Sequence, residues 1–234
     1  MEQYRILVME DDGDINRLLC TVLTKNGYAA DSAFSGSEGK LRLSMADYDL
    51  ILLDLMLPGI TGEEFLRELR EQAGETLPVI VISAKTALED KVNALIIGAD
   101  DYITKPFETA EVLARVEAQL RRCNKFMPVQ RTDAAGKLEF RELLLDREGR
   151  TLTAGGVPVS LTAMEFELLA LLLAHPQRVF TREALYDQVW GGQYLGEDNT
   201  VNVHISNIRS KLSKAMPGRE YIKTVWGIGF KLCE

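Results

Sequence analysis

Hydrophobic positions in the first half of the chain switch repeatedly between short unbroken runs and helical spacing. Apolar runs such as Leu50–Leu53 and Val79–Ile82 are typical of strands buried on both faces of a parallel sheet. Between such runs, apolar residues recur three or four positions apart, which predicts amphipathic helices. Strands are predicted at residues 5–9, 29–34, 50–53, 79–82 and about 101–103. Five strand–helix repeats indicate a doubly wound α/β domain with a five-stranded parallel sheet.

The pattern changes after residue 122. Residues 123–136 lack periodicity, which predicts a linker between a domain over 1–122 and a second domain over 137–234. Short strand-like pieces between residues 138 and 160 are separated by glycine-containing turns and predict a small antiparallel sheet. Helices are predicted from Thr162, where Glu165 completes a capping box, over 181–189 and over 199–214. A hairpin over 223–231 completes an α+β domain.

Polar residues follow four of the five predicted strands of the first domain. These residues are Glu10 and Asp11, Asp54, Ser83 and Lys105. The carboxyl ends of parallel strands share one edge of a sheet, so the side chains should converge. Clustered carboxylates need a hard cation, and Mg²⁺ is the one that shares phosphate oxygens with protein carboxylates. A carboxylate can also attack a phosphoryl donor, while a lysine neutralises charge on the transferred group. Taken singly, each residue has a simpler interpretation as a helix cap or a solvated charge.

Charge, hydrophobicity and cysteine content restrict the partners and the cellular compartment that the protein can have. The formal net charge is −8, but residues 1–122 carry 22 acidic and 13 basic side chains, whereas residues 123–234 carry 13 and 14. This asymmetry suggests two domains with different partners. Apolar runs are far too short to insert in a membrane, and the N-terminal residues lack the pattern of a signal peptide. The three scattered cysteines fit a reducing compartment, so a cytoplasmic location is expected.

The segments ILVMEDD, DLILLDLMLPG, PVIVISAK and GADDYITKPF resemble the receiver domain of two-component response regulators, and the resemblance covers residues 4–122. It implies a phosphorylation site with bound Mg²⁺. The implied residues are the phospho-acceptor Asp54, the metal ligands Glu10, Asp11, Asp54 and Met56 (through its backbone carbonyl), the phosphoryl partners Ser83 and Lys105, the switch aromatic Tyr102, and a cis peptide before Pro106. Asp12 makes a third consecutive acid and is interpreted as a helix-start residue.

The charged residues of the fourth and fifth strand–helix units resemble the dimerisation face of the OmpR/PhoB subfamily. In that interpretation Lys91 would pair with Glu111, and Asp101 with Arg115, across a two-fold axis. A solvated charged surface is the alternative. The implied interface residues are Lys91, Asp100, Asp101, Glu111, Arg115 and Arg122.

The helix predicted over 199–214 is amphipathic. Val201, Ile205, Ile208 and Leu212 form an apolar stripe, and small polar residues with an apparently exposed Val203 lie on the opposite face. Residues 199–231 contain six bases and the single acid Glu220. Small polar side chains suit base edges in a major groove, and lysines near the end of the helix suit phosphates. An amphipathic surface helix beside an edge hairpin is the alternative.

The segments LTAMEFELLALLL, TVNVHISNIRSKL and IKTVWGIGFKL resemble the winged-helix output domain of the OmpR/PhoB family over about 138–232. The resemblance implies a recognition helix at 199–214, a loop at 190–198 that can touch RNA polymerase, and a wing at 224–230. Trp226 replaces a frequent wing arginine, and we expect it to pack on the sugar-phosphate backbone or on the wing itself. The implied DNA contacts are Asn199, Thr200, Val203, His204, Ser206, Asn207, Arg209, Ser210, Lys211, Lys214, Lys223, Thr224 and Trp226.

The expected function is therefore a phosphorylation-activated DNA-binding transcription regulator. Its implied partners are a sensor histidine kinase, RNA polymerase, a second copy of the chain and tandem direct repeats in promoter DNA. No enzymatic activity is expected beyond its own phosphorylation and dephosphorylation. One alternative, an aspartyl phosphotransferase or phosphatase, would need an acid/base Asp two residues after the nucleophile, where this chain has Met56. The other is a phosphorylation-independent DNA-binding protein, against which the complete acceptor set argues.

Overall fold

The protein divides into two compact units, Met1–Leu120 and Arg121–Glu234, each with its own hydrophobic core. A computed structural model describes residues 3–71, 77–123, 136–191 and 199–233, with the side chains of residues 122 and 123 excluded. The predicted linker thus lies almost wholly outside the described residues. Within the described parts, no helix is long and apolar enough to cross a membrane.

The first unit is built on one parallel sheet, which confirms the predicted doubly wound fold. The strand order β2-β1-β3-β4-β5 places β1 and β3 side by side at the centre. The predicted strand bounds differ from the observed ones by no more than one residue. The strands are β1 (Arg5–Met9), β2 (Ala29–Ala33), β3 (Leu50–Leu53), β4 (Val79–Ser83) and β5 (Asp101–Thr104).

Helices follow each strand and cover the sheet through their apolar stripes. The first and last helices pack Leu19, Leu23 and Val116 against buried residues of the central strands. Asp12 caps the first helix, as predicted, because its carboxylate accepts hydrogen bonds from the N–H groups of Asp14 and Ile15. The helices are α1 (Gly13–Lys25), α2 (Gly36–Met45), α3 (Gly62–Glu71), α4 (Leu88–Ile97) and α5 (Thr109–Cys123).

Gly62 lets α3 begin directly behind the end of β3. A Cβ atom at this position would lie 2.1 Å from the carbonyl oxygen of Asp54, a distance that no side chain can adopt. Only glycine therefore allows this close approach of the helix to the strand end. The approach fixes the backbone that carries Asp54.

In its described residues the second unit has an antiparallel sheet, three helices and a terminal hairpin, as predicted. Thr162 and Glu165 form the expected capping box. The elements are β6 (Lys137–Phe140), β7 (Leu143–Asp146), β8 (Thr151–Ala154), β9 (Val157–Pro158), α6 (Ala163–Ala174), β10 (Phe180–Thr181), α7 (Arg182–Trp190), α8 (Thr200–Ala215), β11 (Ile222–Val225) and β12 (Gly229–Leu232).

The core of this unit lies between α6, α7, α8 and the sheets. Val201, Ile205, Ile208 and Leu212 are all buried, which confirms the apolar stripe of α8. The hairpin β11–β12 gains a third strand, β10, which pairs with β12. Two residues are too short a strand for a hydrophobic pattern to reveal. The helix α7 continues through Trp190, so this residue does not belong to the predicted loop, and residues 192–198 lie outside the described residues.

Candidate functional site

Three acidic side chains converge at the carboxyl edge of the parallel sheet of the first unit. Glu10 and Asp11 follow β1, and Asp54 follows the adjacent strand β3. One carboxylate oxygen from each lies within 4.8 Å of the others. Glu10 and Asp54 are almost completely buried, at 2% and 4% exposure, while Asp11 is exposed. Oxygen donors of this charge and spacing fit a hard divalent cation such as Mg²⁺.

Lys105 joins this cluster from the end of β5. Its Nζ lies 2.6 Å from Glu10 Oε2 and 2.6 Å from Asp54 Oδ2. Burial raises the pKa of Glu10, and the hydrogen bond from Lys105 opposes that rise. Burial alone would lower the pKa of Lys105, but its bonds to Asp54 and Glu10 outweigh burial and raise it. The lysine is thus held as a cation between two buried carboxylates, and its peptide bond to Pro106 is cis as expected.

The backbone that follows Asp54 orients its carboxylate. The N–H of Met56 donates to Asp54 Oδ1 at 2.9 Å, which leaves the other oxygen beside Lys105. The side chain of Met56 is 59% exposed and takes no part in this arrangement. The role of its carbonyl oxygen as a metal ligand stays a prediction.

Asn16 is a site residue that the sequence reasoning missed. It is buried on α1, and its Nδ2 donates to the carbonyl oxygens of Glu10 at 3.0 Å and Ala33 at 3.4 Å. The N–H of Glu10 donates to the same Ala33 oxygen at 3.0 Å. These bonds fix the backbone that presents the acidic pair. A lone asparagine on the inner face of an amphipathic helix was the available signal.

Tyr102 lies inside the domain, with 8% exposure. Its hydroxyl donates to the carbonyl oxygen of Lys85 at 2.8 Å, just beyond the fully buried Ser83. The movement of this ring on phosphorylation, which the resemblance implies, stays a prediction. The side chain of Lys85 forms an ion pair of 2.7 Å with Glu63, which holds the backbone segment that accepts the hydrogen bond from Tyr102.

Asp100 does not belong to an exposed dimer face. Its carboxylate has no exposed surface, accepts from Arg70 at 2.9 Å and from the N–H of Val79 at 3.0 Å, and so ties α3 to β4. A carboxylate bonded in this way cannot reach a partner chain. The prediction for Asp100 is therefore wrong.

The other predicted interface residues form contacts within one chain. Both oxygens of Asp101 accept from Arg115 at 2.8 Å, and Arg115 also pairs with Glu111 at 2.9 Å. The Nζ of Lys91 lies 6.0 Å from the centre of the Tyr102 ring. The residues that were expected to pair across a two-fold axis thus contact other residues of their own domain. The side chain of Arg122 falls outside the described residues.

A polar stripe on α8 faces solvent. Ser206, Ser210 and Lys214 are exposed and Asn207 is partly exposed, as the sequence predicts. Their contact with base edges and phosphates stays a prediction. Ser213 is also exposed on this helix and was missed, although it lies three residues after Ser210.

Three residues predicted to contact DNA are buried in the domain. Thr200 is 1%, Val203 7% and His204 0% exposed. The ring of His204 lies 5.3 Å from the ring of Trp190 on α7. In the N-terminal half of α8, residues outside the apolar stripe are therefore buried as well. The predicted DNA contacts of these three residues are wrong. A helical wheel could not show this second neighbour.

Other predicted contacts have partners inside the domain. Arg209 donates through Nε to the carbonyl of Ile222 and through a terminal nitrogen to Thr224 Oγ1, each at 3.0 Å. Lys211 lies 2.5 Å from the buried carboxylate of Glu165. These cations connect α8 to β11 and to α6. Lys223 is exposed, and the side-chain oxygen of Asn199 accepts from Asn202 at the start of α8.

Trp226 at the tip of the wing is 91% exposed. The prediction that it packs on the wing itself is therefore wrong, and the alternative, packing on a sugar-phosphate backbone, stays a prediction.

Two family models match this chain in the order of its two units. The response regulator receiver domain matches residues 6–117, and the C-terminal domain of transcriptional regulatory proteins matches residues 156–232. The first match contains the acidic cluster with Lys105, and the second contains α8 and the wing. This combination defines the class of DNA-binding response regulators.

Similar proteins align over nearly the whole chain. The transcriptional regulatory protein ResD of Bacillus subtilis is 41% identical over 98% of this chain and 95% of its own length. The DNA-binding response regulator MtrA of Mycolicibacterium smegmatis is 37% identical over 98% and 96%. The Thermotoga maritima response regulator DrrB, an OmpR/PhoB homologue, is 28% identical over 100% of both chains with a TM-score of 0.51. The chain belongs to the OmpR/PhoB family of response regulators, and it functions in phosphorylation-dependent regulation of transcription.

Proposed function

We propose that Asp54 accepts a phosphoryl group from a sensor histidine kinase and that this controls binding of the output domain to promoter DNA in the cytoplasm. The convergence of Glu10, Asp11, Asp54 and Lys105 carries the proposal. Receiver domains generally bind Mg²⁺ at an acidic pocket, and these three carboxylates with the carbonyl of Met56 are the ligands we assign to it. When bound, Mg²⁺ supplies positive charge to the phosphoryl oxygens.

The side chains suit an in-line transfer. A carboxylate oxygen of Asp54 attacks the phosphorus of the kinase's phosphohistidine, and an acyl phosphate bond forms. The phosphorus–nitrogen bond breaks, and the histidine nitrogen leaves with the electron pair as an imidazole that takes up a proton if it is not already protonated. The N–H of Met56 orients the acceptor carboxylate at 2.9 Å. Lys105, already 2.6 Å from Asp54, follows the charge onto the phosphoryl group, where the hydroxyl of Ser83 can also donate.

The output step uses the exposed stripe of α8. We propose that the phosphorylated chain dimerises through its receiver and binds tandem direct repeats, and that the output domain contacts RNA polymerase. Half-sites about one helical turn apart, roughly 10–10.5 bp, would place both recognition helices on one side of the duplex. No turnover of a separate substrate is proposed, because Met56 occupies the position of a second acid/base Asp.

Phosphorylation with a small-molecule phosphodonor and Mg²⁺ tests the acceptor. Wild-type protein should gain one hydroxylamine-labile phosphoryl group by intact mass, and Asp54→Asn should gain none. Asp14→Asn is the matched control, because Asp14 is an exposed acid at the nearby start of α1. Normal uptake by Asp54→Asn would show that the nucleophile is assigned wrongly.

Phosphorylation-independent DNA binding is the alternative that the sequence leaves open. The two candidates differ in the DNA affinity of Asp54→Asn protein. Under the main proposal this variant no longer responds to phosphodonor, and its affinity stays at the unphosphorylated level. A wild-type affinity that is equally high with and without phosphodonor would favour the second candidate.

A further inference from the structure

The tip of the wing is a hydrogen-bonded turn that presents apolar side chains to solvent. The N–H of Ile228 donates to the carbonyl of Val225 at 2.9 Å, and Gly227 takes φ +74°, which closes the turn between β11 and β12. Trp226 is 91% and Ile228 52% exposed, so neither contributes to the core of the domain. A tryptophan buries roughly 150–250 Å² when it is covered. Together with Ile228 it forms a small apolar patch at the turn that a ligand could cover.

The wing is attached to the recognition helix. Arg209 on α8 bonds to Ile222 and Thr224 on β11, and its guanidinium carbon lies 5.7 Å from the ring of Phe230 on β12. These contacts hold the tip in a defined position relative to the exposed stripe of α8. A ligand that binds the stripe therefore meets the tip in one orientation.

The charges around the tip indicate a polyanion. Residues 221–233 contain Lys223 and Lys231 and no acidic residue. An apolar tip with ammonium groups on the strands beside it complements duplex DNA, in which phosphates flank an apolar stack of bases. Apolar side chains inserted between base steps from the minor groove are a known way of bending DNA. Arginine, which the tip lacks, would instead bind by charge in a narrow groove.

We propose that Trp226, supported by Ile228, is an apolar wedge that partly unstacks one base step beside the half-site contacted by α8. The proposal rests on the proposed DNA-binding function. The wing then contributes to sequence specificity through the deformability of the DNA. It favours sites with a flexible pyrimidine–purine step at a position that α8 does not touch. It also bends the duplex.

Base stacking can be measured with full-length phosphorylated protein and a duplex selected from a random library by the same protein. 2-Aminopurine is placed in turn at the steps flanking the half-site. Wild-type protein should raise its fluorescence at one step and bend the duplex in a circular-permutation assay. Trp226→Ala should remove both effects and weaken binding about tenfold with an unchanged salt slope. Its thermal unfolding should match wild type, because the side chain is exposed.

Two further variants separate a wedge from a charge contact. Trp226→Arg should bind without unstacking and should steepen the dependence of log Kd on log salt by about one. Lys214→Ala should keep the fluorescence rise and flatten that dependence by about one. Trp226→Ala protein that still bends the duplex and raises the fluorescence would overturn the proposal.

Tryptophan quenching identifies what covers the tip. The chain has two tryptophans, and Trp190 is only 4% exposed, so acrylamide should quench chiefly Trp226. A duplex with one half-site should protect this fluorescence. Protection only when two copies occupy two half-sites would mean that the tip contacts a neighbouring protein, and the proposal would be wrong. If the phosphorylated chain selects no duplex at all, the DNA-binding function itself fails, and the wedge fails with it.

Discussion

Lys105 balances the charge of the acceptor site. Two buried carboxylates share its ammonium group at 2.6 Å each, and the third acid, Asp11, adds a further negative charge nearby. Buried like charges repel strongly in a medium of low dielectric. The lysine therefore stabilises the same arrangement of acids that attracts a divalent cation.

Replacing Lys105 by Met should destabilise the receiver by about 3 kcal/mol without Mg²⁺, because two buried carboxylates lose their partner. Added Mg²⁺ should restore more stability to the variant than it adds to wild type, since the ion replaces the missing charge. Urea unfolding with and without Mg²⁺ measures both effects. Lys40→Met is the control: its ion pair with Glu68 is exposed, so it should change stability by less than about 1 kcal/mol. Equal effects of Mg²⁺ on Lys105→Met and wild type would contradict this account.

Asp12 provides a prediction of pH dependence. Hydrogen bonds from the N–H groups of Ile15 and Asp14 lower the pKa of its carboxyl group. A group whose pKa is lower in the folded state contributes stability above its unfolded pKa, near 3.9, and this contribution is lost as pH falls through the folded value. Asp12→Asn should therefore be less stable than wild type at pH 7, and the difference should shrink below about pH 4. Denaturant unfolding from pH 7 to 3 measures it, with Asp14→Asn as the exposed control. A difference that stays constant with pH would exclude the ionised cap.

At the scale of elements, α8 and the wing form one unit. Arg209 and Lys211 bond within the domain, so part of the positive charge on this helix stabilises the fold. Lys214, by contrast, is exposed near the last turn of α8. Cations on one helix thus have different roles that their spacing does not reveal.

Arg209→Ala and Lys214→Ala should differ accordingly. Loss of Arg209 removes two hydrogen bonds between α8 and β11 and should lower the stability of the output domain by about 1–2 kcal/mol. Lys214→Ala should leave stability unchanged and reduce the salt slope of DNA binding by about one. Thermal unfolding and a salt titration of DNA affinity separate the two effects. If Arg209→Ala protein is as stable as wild type, Arg209 does not stabilise the fold, and a phosphate contact becomes its expected role.

For the whole molecule, the proposed dimerisation would have to compete with contacts inside each receiver. Asp101 and Glu111 both pair with Arg115 in the same chain. Pairs across a two-fold axis would have to replace these bonds, and the net gain would be smaller than the number of new pairs suggests. Phosphorylation adds roughly −1.5 to −2 charge beside Ser83 and Lys105, on the strands that lead to this face.

Light scattering with a beryllofluoride phosphoryl mimic tests the assembly. We expect added mass at micromolar protein for wild type and a loss of the dimer in Glu111→Lys, which would place like charges opposite each other. Glu117→Lys, on the same helix and outside the proposed face, is the control. A wild-type dimer that is insensitive to Glu111→Lys would place the interface elsewhere.

Local patterns determined the elements of both domains except the two-residue strand β10. Continuous apolar runs such as Leu50–Leu53 identify strands buried on both faces, and the order of strands and helices restricts the sheet to a few topologies. The polar residues at strand ends followed directly from that sheet, because parallel strands end at one edge. Capping at Asp12 and Thr162 was also predictable, since it involves neighbours three residues away.

Only the tertiary structure decided which side chains are covered by distant elements. Val203 lies on the polar side of the helical wheel, yet it is buried, and the ring of His204 is buried beside Trp190 of α7. The sequence predicts Asp100 as a surface charge, but Arg70, which lies 30 residues earlier in the chain, pairs with it inside the domain. Hydrophobic periodicity identifies one buried face of a helix or strand. It does not show whether a second face is also covered. Burial of Asp100 and exposure of Trp226 both depend on what packs from elsewhere in the chain, which the local sequence does not encode.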